Sequence, residues 1–333
     1  MDAKTYNEAL QTLTPLPDSD KYRATVKKDF EERYRQLLGS SYEDFLAYSL
    51  SYLNKSIRVN TLKISVAKLK ERLQQQGFKL YPVPWCSEGF WIKGSRTDLG
   101  NLIEHTLGYF YVQEAASMIP AVVLQPQPGE TVLDMCASPG SKTTQMAAMM
   151  ENRGIIVAND IAGVRMKPLG INLQRVGAMN VVESQARGQQ LGRMATMFDR
   201  ILVDAPCSGT GTLRKSPDTL RIWNPLMVKR LASQQKALIE TAFSLLKEGG
   251  TLVYSTCSVE PEEDEGVVSH LLQKFPAAAA LEEIKLEIIR SNPVLAFDKS
   301  SYGSEIGKCL RIWPQDNNTE GFFVAKIKKV GTG

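Results

Sequence analysis

From about residue 111 onward, short apolar runs closed by small or acidic residues alternate with longer stretches of helical spacing. This alternation limits the fold of the chain more than any other feature. Strands are expected at Thr131–Asp134, Gly154–Asp160, Asn180–Glu183, Phe198–Asp204 and Gly250–Cys257. Helices are expected between them at Ser141–Met150, up to about Arg175, at Leu226–Lys247 and at Pro261–Phe275. Leu310–Trp313 and Phe322–Ile327 read as closing strands. Regular βα alternation predicts an α/β domain, a mostly parallel sheet with helices on both faces. Ligands of such sheets bind beyond the carboxyl ends of the strands. Pro168 falls within one of the helices and predicts a kink or a break there.

The preceding segment has another pattern. Residues 1–50 read as helical and polar, with Tyr34, Leu37, Leu38, Phe45 and Leu46 at helical spacing. Ser56–Leu62 is rich in β-formers, Ser65–Gln76 is helix-like and stops at Gly77, and Phe78–Val83 reads as a second strand. Between residues 51 and 110, nine basic side chains, among them Arg58, Lys68, Lys70 and Arg72, stand against four acidic ones. That local excess of +5 exceeds the +4 of the whole 333-residue chain. It suits a phosphate backbone, or equally a solvated surface covering the catalytic core. The division expected is residues 1–110 as a helical and α+β RNA-binding region and 111–333 as a catalytic domain.

At 43% hydrophobic and 23% charged residues, the composition is that of a globular protein with a sizeable core. MDAKTYNEAL has no apolar stretch behind a basic start, and no apolar run approaches a membrane span, so neither a signal peptide nor a membrane contact is expected. The five cysteines form no CxxC pair and have no histidine at metal spacing, which argues for a reducing cytoplasm and no metal. A monomer is expected.

Val132–Thr143 is a strand, a tight turn and a helix start, where Gly140 lets the backbone approach a ligand and free N–H groups favour an anion. Gly140-Ser141-Lys142 breaks the contiguous Gly-Lys-[Ser/Thr] of a phosphate-binding loop, and no G-x-G-x-x-G is present. A methyl-donor site remains. Asp160 ends the next strand 20 residues after Gly140, where its carboxylate can accept from a ribose diol or simply cap a helix.

Two further loops, Asp204–Gly211 and Ser255–Ser258, end strands expected to be neighbours and bring Cys207, Cys257 and Asp204 to one crevice. Carbon 5 of cytosine is a poor nucleophile until a thiolate adds to carbon 6. The chemistry then needs an activated cysteine, an acid near N3 and a base for the carbon-5 proton. Residue types alone do not say which thiol attacks. Cys86 and Cys309 read as small buried hydrophobes.

With these residues the chain resembles the Sun/Nop family of RNA cytosine-C5 methyltransferases. The likeness rests on Arg58–Lys63, Gln113–Met118, Asp134–Thr143, Asp204–Gly211, Ser255–Ser258 and Glu320–Phe323, all in order. It implies a Rossmann-like fold that uses S-adenosylmethionine, with a smaller α+β RNA-binding region in front. It makes Cys257 the nucleophile and gives Cys207 proton removal and release of the adduct. Cys136, Ala137, Ser138, Pro139, Gly140, Ser141 and Lys142 match the donor loop, Asp160 the ribose acid, and Asp204 the acid facing the base and bordering the donor. Arg214 and Lys215 match positions near RNA phosphates. The family's adenine-binding Asp is replaced by Gln185, whose oxygen can still accept. Structured RNA, transfer or ribosomal, with its cytosine flipped out, is the implied partner. A DNA methyltransferase, which takes its nucleophile from the Pro-Cys loop, and an RNA-binding assembly factor with a vestigial site are the rivals.

Overall fold

A computed structural model describes residues 12–193 and 197–331. The opening segment read as lacking a signal peptide, and the first part of the helical reading over residues 1–50, lie outside them. After a short helix at Ser19–Ala24 come helices Lys28–Leu38 and Tyr42–Ser49. Their apolar faces stack Phe30 on Tyr34 and Tyr34 on Phe45, then close against Trp223 and Trp313 of the larger domain.

Strands β1 (Ser56–Val59), β2 (Lys79–Val83), β3 (Cys86–Lys93) and β4 (Phe110–Val112) form an antiparallel sheet in the order β2-β3-β1-β4. Helix Val66–Gln75 covers one face. Its start is capped by the Ser65 hydroxyl, which accepts from the Lys68 N–H, and Leu69 and Leu73 are buried against Ile57, Val59 and Phe90. The strand–helix–strand reading of this region lacked β3 and β4. β4 pairs with β1, so residues 110–112, at the expected boundary, belong to the smaller sheet.

The larger sheet holds β5 (Thr131–Asp134), β6 (Ile155–Asp160), β7 (Val181–Gln185), β8 (Phe198–Asp204), β9 (Leu246–Thr256), β10 (Ala279–Glu282), β13 (Leu310–Ile312) and β14 (Phe322–Lys329). The pairs β11 (Ala296–Phe297) and β12 (Ser300–Ser301) make a separate hairpin. The order is β10-β14-β9-β8-β5-β6-β7. The run β9 to β7 is parallel, and β14 is antiparallel to β9. The expected doubly covered parallel sheet is therefore present, with an antiparallel edge. Successive strand residues serve opposite faces, as the period of two requires. Leu133, Ile201, Tyr254 and Phe323 pack with helix Pro225–Leu245, while Val132, Leu202, Val253 and Val324 pack with the apolar helix Ile119–Leu124.

The break expected at Pro168 does not occur: helix Gly163–Val176 runs through it. The carbonyl that loses its partner belongs to Val164, in the first turn, where the side chain is 81% exposed and water is at hand. Among the described residues no helix is long and apolar enough to cross a membrane, and no cluster of His, Cys, Asp or Glu could hold a metal ion.

Candidate active site

The carboxyl ends of β5, β6, β7, β8 and β9 open on two cavities that share a wall. The larger, about 600 Å³, is lined by Cys136 and Ser138 after β5, Asn159 and Asp160 on β6, Ala186–Gln189 after β7, Asp204–Cys207, and Cys257. Asp160 is 2% exposed. Its carboxylate accepts from the N–H groups of Ser138 and Ala162, both at 3.3 Å, so it is held in place while still lining the cavity. Asn159 ties two of these loops together: its amide donates to the carbonyls of Met135 (3.1 Å) and Ala186 (3.0 Å) and accepts from the Ala186 N–H. Asn159 was not among the expected site residues; its place beside an acid at a strand end was the available signal.

The smaller cavity, about 280 Å³, is lined by Tyr111, Gln113, Glu114, Lys142, Lys215, Glu320 and Phe322, and again by Asp204 and Cys257. It lies where the two sheets meet. Lys142 reaches into it rather than into the larger one. Its Nζ donates to Asp204 Oδ2 (2.7 Å) and Ser117 Oγ (3.0 Å), and Ser255 Oγ donates to Asp204 Oδ1 (2.8 Å). Burial alone would lower the Lys142 ammonium, but Asp204 outweighs it and the pKa is raised. Glu114 is pushed up to about 7 by burial and by Glu320 beside it.

Cys207 and Cys257 stand 3.3 Å apart, sulfur to sulfur, as free thiols. The parallel pairing of Asp204 with Ser255 sets this approach, since the two loops leave neighbouring strand ends in register. Beyond the strands the loops are joined by backbone: the Gly211 N–H donates to Cys257 O (3.0 Å), and Gly321 N–H to Gly211 O (2.9 Å). Below them, Ser258 Oγ lies 3.1 Å from Ser208 Oγ, and the Ser208 N–H donates to Glu263 Oε2 (2.9 Å). Gln235 braces the same point, donating to Pro206 O and to Glu263. The hydrogen bond with Cys257 and burial raise the Cys207 thiol well above its ordinary value. Burial also pushes up Cys136, which lines the larger cavity.

Several expected site residues are elsewhere. Gln185 is exposed at the end of β7, with its amide beside Gly163, and does not line the larger cavity; Ala186–Gln189 do. The match by position stopped one residue short of the loop that turns inward. The donor loop is itself divided. Cys136 and Ser138 face the larger cavity, Pro139, Ser141 and Lys142 the smaller, and Ala137 and Gly140 line neither. Gly140, at φ +100°, packs on Leu169 as the helix begins.

Two arginines expected on RNA phosphate are internal. Arg58 is 2% exposed and donates to Gln113, Ser141 O (2.7 Å) and Thr144 Oγ1 (2.9 Å), joining the smaller sheet to the helix after the donor loop. Arg214, 4% exposed, donates to Thr319 O and to Ser51 O and Tyr52 O, just past the end of a helix. Orphan carbonyls at turns and helix ends need donors, and a long side chain with five N–H groups supplies them. Lys68 is exposed, Lys70 half-buried, and Arg72 pairs with the buried Glu104.

The sequence model of the 16S rRNA methyltransferase RsmB/F family matches residues 121–328, and that of the N-terminal domain of 16S rRNA methyltransferase RsmF matches 26–115. A tRNA (cytosine(49)-C(5))-methyltransferase of Pyrococcus abyssi is 47% identical over 91% of this chain and 96% of that protein. Ribosomal RNA small subunit methyltransferase F of Vibrio vulnificus is 44% identical over 92% of this chain. The chain spans only 65% of that bacterial relative's length. Among solved structures, a methyltransferase homolog from Pyrococcus horikoshii superposes with a TM-score of 0.83 at 38% identity, over 94% of this chain and 99% of that one. NSun6 from the same organism, solved with SFG, gives 0.81 at 27% identity, over 92% and 99%.

Proposed function

From the premise that this chain belongs to the Sun/Nop family of RNA cytosine-C5 methyltransferases, the family of the RsmB/F enzymes, we propose that it methylates carbon 5 of a cytosine in structured RNA, with Cys257 as nucleophile. One observation carries the choice of thiol: Cys257 lines both cavities, whereas Cys207 lines only the larger. A nucleophile must touch the base, and the base that it activates must meet the donor across the same wall.

The larger cavity fits S-adenosylmethionine. It is of suitable size, and Asp160 is a fixed, buried carboxylate for a ribose diol. When bound there, S-adenosylmethionine supplies an electrophilic methyl group. Cys136, Ser138, Asp160 and Ala186–Gly188 would hold it, whereas Gln185 lies outside the lining.

In the smaller cavity the Cys257 thiolate adds to carbon 6, and the ring's π electrons move toward carbon 5 and the N3–O2 edge. Lys142 and Asp204 face the base together. The ammonium stabilises the developing negative charge, and Asp204, fixed by Ser255, accepts from the exocyclic amine. After methylation Cys207, its own proton lost to solvent, takes the proton from carbon 5. The electron pair re-forms the 5,6 double bond and expels the Cys257 thiolate. Standing 3.3 Å from the Cys257 sulfur, Cys207 is within reach of the adduct that it must open. Residues 51–110, with exposed Lys68, support RNA binding by the smaller region.

The test is a gel under denaturing conditions with substrate RNA and S-adenosylmethionine. Cys257→Ala is expected to give neither product nor adduct, and Cys207→Ala to accumulate an RNA–protein adduct. Cys136→Ala should affect donor affinity at most. Exchanged outcomes would make Cys207 the nucleophile, in the manner of a DNA methyltransferase.

A further inference from the structure

The smaller cavity holds two carboxylate–lysine pairs, and the cytosine chemistry uses only one. Lys142–Asp204 stands on the wall shared with the donor cavity. The second pair, Lys215 Nζ to Glu320 at 2.8 Å, lines the smaller cavity alone. Glu320 is 4% exposed, so its charge is held almost wholly inside. Its place relative to the nucleophile is fixed by backbone: the next residue, Gly321, donates to Gly211 O, and the Gly211 N–H donates to Cys257 O. Glu114 also lines this cavity, but its two oxygens already accept from the Ser117 and Glu320 N–H groups.

Covalent connectivity of the nucleotide then decides what Glu320 can meet. Cys257 addresses carbon 6, and the donor lies toward carbon 5. Going round the ring from carbon 5 leads to the amine-bearing carbon and N3, the edge given to Asp204 and Lys142. Going the other way from carbon 6 leads at once to N1, which carries the ribose. A group anchored to the Cys257 loop on the side away from the donor therefore faces the ribose. A carboxylate there has an evident partner in RNA, the 2′-hydroxyl, which can donate to it.

We propose that Glu320, held by Lys215, accepts a hydrogen bond from the 2′-hydroxyl of the target nucleotide and so selects RNA over DNA at the reacting position. This rests on the reading of the smaller cavity as the cytosine site. A site built to bond a hydroxyl rejects the analogue lacking it because its polar group is left buried and unpaired. Hydrogen bonds to charged groups of this kind discriminate by roughly 10- to 100-fold.

The experiment uses the full chain and the RNA in which bisulfite sequencing maps the modified cytosine. That RNA is prepared twice, with ribose and with 2′-deoxyribose at that one nucleotide, and methylation rates are compared. The wild type is expected to favour the ribose form roughly 10- to 100-fold. In Glu320→Ala the ratio should collapse toward one, chiefly because the rate on the ribose form falls. Glu320→Gln, which keeps the shape and loses the charge, should fall between and serves where the alanine variant folds poorly. A wild type indifferent to the sugar, or either folded variant keeping the full ratio, overturns the proposal. Failure of the wild type to methylate either RNA would overturn the cytosine reading as well, so the two failures are distinguishable.

Discussion

Gly211→Ala tests whether the two cysteine loops are one mechanical unit. A Cβ at this position would lie 2.2 Å from Gly321 O and 2.7 Å from Cys257 O, both backbone atoms that no rotamer change can move. Relieving the clash means separating the loops. Overpacking of this kind costs about 1–3 kcal/mol. It strains both hydrogen bonds through Gly211, and losing one buried bond adds about 1–3 kcal/mol. Replacing a glycine returns about 0.4–1 kcal/mol through the unfolded chain. The net destabilisation is therefore roughly 3 kcal/mol, read as the shift in urea unfolding at constant slope. Because the displaced atom is the Cys257 carbonyl, adduct formation should fall further than stability alone explains, under conditions where the variant is fully folded. Gly307→Ala is the control: nothing lies within 4 Å of a Cβ there, and a change within about 0.5 kcal/mol is expected. A Gly211→Ala protein destabilised by less than about 1 kcal/mol with normal turnover would refute the coupling.

Arg58→Met should destabilise the fold and weaken donor binding, measured by urea unfolding and calorimetry, while leaving the salt dependence of RNA binding unchanged. A shallower slope would return Arg58 to the RNA surface. Replacing exposed Lys68 together with Lys70 by Ala should do the reverse, reducing that slope by roughly 0.7 per lost phosphate contact with donor affinity intact. Glu263 offers a pH test. Burial pushes its carboxyl up to about 7 from 4.5, so between those values the folded state binds more protons than the unfolded one and stability falls as pH rises. Glu263→Gln should remove up to roughly 3 kcal/mol of that slope between pH 5 and 7.5. Urea midpoints whose pH dependence matches the wild type would count against a buried, titrating Glu263.

The strand–helix alternation and the meeting of the two thiols were legible in the sequence for a physical reason. Buried parallel strands must be apolar, their loops must leave at the carboxyl edge, and the register of neighbouring strands does the rest. Asp204 beside Ser255 follows from that alone. Charges were the illegible part. Arg58 and Arg214 look like any phosphate-binding arginine in a basic stretch, and only the folded chain shows that each satisfies carbonyls from segments far away in sequence. Cross-strand partners of β1 were equally hidden: Arg58 pairs with Gly89 on β3, 31 residues on, and with Tyr111 on β4, 53 residues on, and neither run alternates cleanly.

The donor loop shows why a motif read along the chain can still be misassigned. Ser138 and Lys142 are four residues apart across a turn and the first residues of a helix, and such neighbours need not point the same way. Ser138 faces the donor cavity, and Lys142 crosses to Asp204 in the other. One short segment thus supplies walls to two cavities, which is what the proposed reaction asks of it. The methyl group and carbon 5 must be presented to each other by a single rigid piece of backbone, since an error of about 1 Å between them would cost on the order of 100-fold in rate. The ion pair of Lys142 with Asp204 then does more than hold charge. It locks the Asp134–Thr143 loop to the end of β8, just before Cys207, so that on the proposed reading the parts that hold the methyl donor and the parts that hold the base do not drift independently.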